Sequence, residues 1–263
     1  MINKRIKFIA LTLISTVFIA GLSGCSTKKS ESPSDKQQKI VIGMDDSFPP
    51  MEFRDSSNNL QGFDIDLANE ISKRLNIKFE FMPTDWNGVI QSLNAKRFDI
   101  ILSSLSVTPE REQQIAFSKP YLQGNQIVVV SKNNTDINVP EDLKGKIVGV
   151  QLGSTSEAAM KPLVGTIKEV KKYEKNTEAL EDLAIGRTQA VVVDELVGRY
   201  YIKEHSDKYR VLSQSLSKEP IAIGFRKEDT VLKDKFDKVL DEMQKDGTME
   251  SISKKWFGEN ITK

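Results

Sequence analysis

Short apolar runs alternate along the chain with stretches whose apolar residues recur every three or four positions. Ile40-Val41-Ile42-Gly43 is too short for a helix and rich in β-branched side chains, so it predicts a strand. Residues 64–75 place Leu67, Ile71 and Leu75 on one face and predict a helix. A strand at 78–81, a helix at 86–95 and a strand at 99–102 follow, then a helical turn opened by Thr108-Pro109 and a strand at 127–130. The rhythm restarts with a strand at 146–150, a helix at 154–160, a strand at 167–170, a helix at 178–185 and a strand at 190–193. A helix to about 204, a strand at 221–225 and helices at 231–246 and 249–257 complete it, with Asp246-Gly247 as the stop between the last two. Such alternation predicts an α/β protein of parallel sheets covered on both faces. Ligands of such sheets bind beyond the carboxyl ends of the strands.

Those ends carry polar residues. After 40–43 comes Met44-Asp45-Asp46-Ser47-Phe48-Pro49-Pro50, and after 99–102 comes Ser103-Ser104-Leu105-Ser106-Val107-Thr108-Pro109-Glu110-Arg111. After 146–150 comes Gln151-Leu152-Gly153-Ser154-Thr155-Ser156-Glu157, and after 190–193 comes Asp194. Each has a local reading. Ser154 with Glu157 fits a capping box, Asp194 a helix cap, Asp45-Asp46 a solvated turn, and Trp86 plain core. Ser103, Ser104 and Ser106 fit loop filler, and Arg111 a pairing with Glu110 or Glu112. Arg111 fits its local reading least well. A cation in the first turn of a helix opposes the macrodipole by roughly 0.3–1 kcal/mol unless an anion faces it. Together the residues match one chemical object. Arg111 offers a fork for a carboxylate, as do the N–H groups of Ser154 and Thr155 at a helix start. Asp194 and the oxygens of Ser104 and Ser106 suit an ammonium. An α-amino acid carries both groups on one carbon, and Trp86 and Phe48 can stack on its side chain.

Composition narrows the setting. Lys4, Arg5 and Lys7 precede an uncharged stretch at 8–22, the pattern of a secretory signal peptide and short for a membrane span. It ends in Leu22-Ser23-Gly24-Cys25, which resembles a bacterial lipobox whose Cys25 becomes the lipidated first residue of the mature chain. Residues 26–39 hold no large apolar side chain and read as a disordered tether. Removing Lys4, Arg5 and Lys7 leaves 35 basic against 37 acidic side chains, so nothing favours nucleic acid. Once Cys25 is lipidated no thiol remains, His205 is the sole histidine, and no metal site, cofactor or catalytic constellation is predicted.

From 40 to 257 the chain resembles the family 3 extracellular solute-binding proteins for polar amino acids, which serve ABC importers. Gly62-Phe63-Asp64-Ile65-Asp66-Leu67 looks like the family's signature, and the segment from Ser103 to Arg111 like its carboxylate-binding segment. The resemblance implies a two-lobed, type II periplasmic-binding-protein-like α/β fold. Each lobe is then a mostly parallel sheet flanked by helices, the two joined by two crossing strands. It places a signal peptide at 1–24, a lipidated tether at 25–36, lobe 1 at 37–126 and 221–263, and lobe 2 at 127–220. Arg111 then takes the ligand carboxylate, and Ser103, Ser104 and Ser106 belong to the same segment. Ser154 and Thr155 clamp from the second lobe, Asp194 takes the ammonium, and Trp86 is an aromatic lid. Asp45 and Phe48 sit where basic-amino-acid binders carry an acid and an aromatic ring.

The expected ligand is a basic L-amino acid, arginine or lysine, with glutamine, histidine or cystine as alternatives on the same scaffold. The expected partners are the permease and ATPase of an ABC importer and the bilayer that holds the Cys25 anchor. The protein is expected to be a monomer on the extracytoplasmic face of the cell membrane. A dehydratase-like enzyme and a sensor module remain as other uses of the fold, told apart by turnover of a prephenate-like substrate and by receptor engagement without uptake.

Overall fold

The computed structural model describes residues 38–262. The signal peptide, Cys25 and the tether to 36 lie outside the described residues. In chain order the elements are β1 (Lys39–Met44), β2 (Ser47–Phe48), β3 (Glu52–Arg54), β4 (Leu60–Gln61), α1 (Phe63–Leu75), β5 (Lys78–Pro83), α2 (Val89–Asn94) and β6 (Ile100–Ile101). Next come α3 (Pro109–Glu112), β7 (Ala116–Phe117), β8 (Leu122–Gly124), β9 (Gln126–Ser131), β10 (Ile147–Gln151), α4 (Thr155–Met160), β11 (Glu169–Tyr173), α5 (Asn176–Ala184) and β12 (Ala190–Asp194). α6 (Glu195–Glu204), β13 (Tyr209–Val211), β14 (Glu219–Ile221), β15 (Gly224–Phe225), α7 (Thr230–Lys245) and α8 (Thr248–Phe257) close the series.

The strands build two five-stranded sheets, ordered β5-β1-β6-β15-β7 and β11-β10-β12-β9-β13. The fold is thus two-lobed, one sheet to each lobe. In each sheet four strands point one way and a single strand is reversed: β15 in the first, β9 in the second. Both reversed strands follow directly from a small antiparallel ladder, in which β8 pairs with β14. The chain crosses once along each of these strands, so the strand entering a new sheet arrives without a crossover helix and runs against its neighbours. The sheets are therefore mostly, not wholly, parallel.

Alternation of side chains across each sheet separates two apolar cores. Ile40 and Ile42 face a core with Leu67, Ile71 and Phe236, while Ile101 faces the other with Leu93, Phe98 and Leu105. In the second sheet Val128, Val130 and Val192 face one side and Ile127, Val129, Val191 and Val193 the other. Burial on both sides is why these strands read as unbroken apolar runs. Among the described residues no helix is long and apolar enough to cross a membrane.

Several predicted bounds move. The run 221–225 divides into β14 and β15, which serve different sheets. The strand expected at 167–170 starts at Glu169, where its ladder with Ile147 begins, while Ile167 is buried in the core beside it. The helix expected from Trp86 starts at Val89, because Gly88 sits at φ 90° and breaks the turn before it. The short meander β2-β3-β4 is too brief to leave a period in the sequence.

Candidate functional site

The segment after β6 is shaped by the helix that precedes it in sequence. Gly62 has φ 141°, and a Cβ there would stand 2.0 Å from the Met51 carbonyl oxygen, so glycine is required at the entry to α1. That entry puts Asp64 fully inside the protein, where it accepts from the Ser104 N–H at 2.7 Å and the Tyr121 hydroxyl at 2.9 Å. Asp64 therefore holds Ser104 at φ 45°, a left-handed conformation that serine seldom adopts. Desolvation raises the Asp64 carboxyl to about 6. Thr108 caps α3 by accepting from the Arg111 N–H at 3.2 Å, as its place before Pro109 predicts.

Arg111 turns inward and is buried. Its guanidinium donates to the Ser106 carbonyl at 2.9 Å and to the Gly153 carbonyl at 3.4 Å, both neutral acceptors, and lies 5.6 Å from the centre of the Trp86 ring. Glu110 and Glu219 act on it only at longer range. Burial outweighs them and lowers its pKa to about 10. Asp194 faces it from the second sheet, at the carboxyl end of β12. It caps α6 by accepting from the Leu196 N–H at 3.0 Å. No basic side chain pairs with it among the described residues, and burial, with Glu219 and Glu195 adding repulsion, raises it to about 7. The local reading of Asp194 as a cap is right, and the residue is also buried in the cavity.

Ser154 is the N-cap of α4, accepting from the Glu157 N–H at 3.2 Å, while the Glu157 carboxylate reaches back to the Gly153 N–H at 2.8 Å. The capping box thus closes one residue early. Its result is to pin Gly153, at φ 74°, against Asn87 of the first sheet's lobe. Thr155 opens α4, where the backbone N–H groups have no partner within the helix.

Phe48, Trp86, Ser104, Ser106, Arg111, Ser154, Thr155 and Asp194 line one cavity. Phe48 packs on apolar cores of both sheets. The cavity holds about 20 Å³, room for about one water. Anything larger enters only when the walls move apart. Two predicted residues stand elsewhere. Ser103 points beneath the cavity, donating to Glu52 Oε1 at 2.6 Å and accepting from the Asp45 N–H at 3.0 Å. Asp45 lines an adjoining, open cleft of 490 Å³ that also borders Trp86, Asp85 and Glu174. Its carboxylate accepts from Ser47 Oγ at 2.6 Å and, from the second sheet, from Gln151 Nε2 at 2.7 Å. Asp46, beside it in the turn after β1, borders the same cleft and pairs with Arg54 at 2.5 Å.

Four lining residues were missed: Gln126, Gln151, Ser156 and Asn176. They form two pairs of polar contacts. Asn176 donates to Gln151 at 3.0 Å, and Ser156 to Gln126 at 2.6 Å. Gln151 opens the polar stretch directly after the predicted strand at 146–150, so the strand-end rule alone would have found it. Gln126 begins the reversed strand β9 and carries no such signal.

Comparison with known proteins identifies the family and fold. Residues 40–259 match the model of the bacterial extracellular solute-binding proteins, family 3. The chain is 31% identical to the L-cystine-binding protein TcyJ of Escherichia coli K12, covering 95% of this chain and 96% of that protein. It is 34% identical to the arginine-binding extracellular protein ArtP of Bacillus subtilis 168, covering 94% and 96%. An ancestral arginine-binding protein solved with arginine superposes at a TM-score of 0.81 with 42% identity, covering 84% of this chain and 99% of that one. An ancestral arginine-binding protein solved with glutamine also superposes at 0.81.

Proposed function

The chain belongs to family 3 of the bacterial extracellular solute-binding proteins, and we propose that it is the lipid-anchored binding subunit of an ABC importer for a polar L-amino acid, arginine or lysine before others. One observation carries the reading. Arg111 and Asp194 come from different sheets, line one cavity, and are each buried without an opposite charge beside them. A zwitterion supplies both missing charges at once. Its carboxylate meets the Arg111 fork and the N–H groups at the start of α4. Its ammonium meets Asp194 and the oxygens of Ser104 and Ser106.

We take the lobes as 37–126 with 221–263, and 127–220, a division that the crossing ladder of β8 and β14 supports. A ligand that touches both lobes favours the closed state, because only differential contact shifts a hinge equilibrium. The cross-lobe bonds Asp45–Gln151 and Arg111–Gly153 belong to that state. With the α-carbon so held, the side chain runs between Phe48 and Trp86 toward Asp45. An arginine guanidinium there gains about 0.5–2 kcal/mol per ring and a carboxylate at its end.

A second reading has its own support. Gln151 already donates to Asp45, so a neutral amide such as that of glutamine can join this pair without a cation. A thermal-shift panel of L-amino acids decides between them. A ligand at a hundred times its dissociation constant adds about 2.7 kcal/mol of stability. Arginine or lysine giving the largest rise supports the first reading, glutamine the second, and no rise with any amino acid defeats both. The anchor is tested separately: Cys25→Ser should release the protein from the membrane fraction.

A further inference from the structure

Two acids beneath the serine segment have no part in the contacts just assigned to the ligand. Glu52 on β3 and Asp64 in the first turn of α1 are both fully buried. Glu52 Oε1 accepts from Ser103 Oγ, which in turn accepts from the Asp45 N–H. Asp64 accepts from the N–H and the hydroxyl of Ser104, at 2.7 and 3.2 Å, and from the Tyr121 hydroxyl. The two buried carboxyl groups lie close enough to act on each other, and no N–H or O–H reaches Glu52 Oε2 among the described residues. Ionised carboxylates only accept hydrogen bonds and repel each other, so two neighbouring buried acids with one oxygen left without a donor are best satisfied by a proton between them. Asp64 receives the three outside bonds and keeps the charge; Glu52 holds the proton. The groups facing Glu52 are Asp64, Asp45, Ser103 and Tyr121. Burial and the charges of Asp64 and Asp45 push the Glu52 carboxyl well above its usual range.

We propose that Glu52 and Asp64 are a proton-sharing pair of positioning residues, which holds Ser103, Ser104 and the end of β1 in binding geometry only while one proton lies between them. The left-handed Ser104 is strained and persists because Asp64 grips it twice. Asp64 is kept in place by the proton from Glu52, and Glu52 in turn fixes Ser103 and the Asp45 backbone. With both acids ionised, two like charges would face each other inside the protein, and the pair would part. The two serines would then leave the positions from which they face the ligand. This inference rests on the proposed amino-acid site for its binding consequence, but not for the shared proton itself.

Infrared spectra of the full chain and titrations with L-arginine and L-glutamine test it. In an Asp194→Asn background, which removes the other buried carboxyl raised to about 7, the protein should show the band of a protonated, buried carboxyl at pH 7, and adding Glu52→Gln should remove it. Glu52→Gln keeps an acceptor for Ser103 and offers an N–H to Asp64, so its affinity should stay within about threefold of wild type, while Glu52→Ala should bind at least ~10-fold more weakly. Absence of the band, its survival in Glu52→Gln, or equal weakening by both variants overturns the proposal. So does a Glu52→Ala variant that binds like wild type. If Glu52→Ala does not fold, Glu52→Gln decides by itself. If the wild type binds no amino acid, the functional reading falls and the band still decides whether the proton is shared.

Discussion

Asp194→Asn should make the ligand-free protein more stable while removing its function. The folded carboxyl sits at about 7 against an ordinary value of 3.8, chiefly because burial opposes its charge. A carboxyl raised on folding binds more protons in the native state, so stability falls as pH climbs from the unfolded value through the folded one. At about 1.36 kcal/mol per unit, Asp194 costs about 4 kcal/mol at pH 8, where it is mostly ionised, and about 2 kcal/mol at pH 5, where it must take up a proton on folding. Asparagine removes that cost, and its side-chain oxygen still caps α6 at the Leu196 N–H. At 2–4 °C per kcal/mol for a chain of this size, the melting temperature should rise on the order of 10 °C at pH 8 and about half as much at pH 5. The assay is thermal denaturation of ligand-free wild type and variant across that range, with calorimetric titration of amino acids alongside. A lower melting temperature, or a rise that does not shrink toward acid pH, would refute the claim that Asp194 is an uncompensated buried charge. Unchanged amino-acid affinity in the stabilised variant would refute its role toward the ammonium.

Arg111→Ala removes the carboxylate fork and should weaken any amino-acid ligand by 100-fold or more, about 3 kcal/mol for paired charge-assisted bonds, by calorimetry. Asp45→Asn should weaken arginine roughly 10-fold or more and glutamine less than about threefold, since a full charge is lost only for the cation; equal losses would remove the case for a basic ligand. Gly62→Ala should lower the melting temperature by 5 °C or more, roughly 2 kcal/mol, because its Cβ meets the Met51 carbonyl at 2.0 Å and its φ of 141° strains any other residue. A variant that melts with the wild type would show that the entry to α1 relaxes freely.

The sequence by itself determined the strands with two buried faces and the polar residues at their carboxyl ends. Unbroken runs such as Val191-Val192-Val193 leave little choice of partner, and a chain emerging from such a strand is polar only where it meets water or a ligand. Arg111 was legible for the same kind of reason, being a cation where the local field is already positive. The strand-end rule put nine of the cavity's residues, Phe48 and Asp194 among them, in its polar stretches without any knowledge of what lay opposite. It said nothing of Gln126, which starts a strand that runs the wrong way for the rule. It also missed the Glu52–Asp64 pair. Phe63-Asp64-Ile65 reads as the exposed first turn of an amphipathic helix, and only the approach of Ser104 and Tyr121 turns that acid inward. Direction of the crossing strands, the split of 221–225 and the placement of Asp45 in the outer cleft were decided by tertiary structure. Each depends on which segment pairs with which across the chain, and local periodicity carries no record of a partner a hundred residues away.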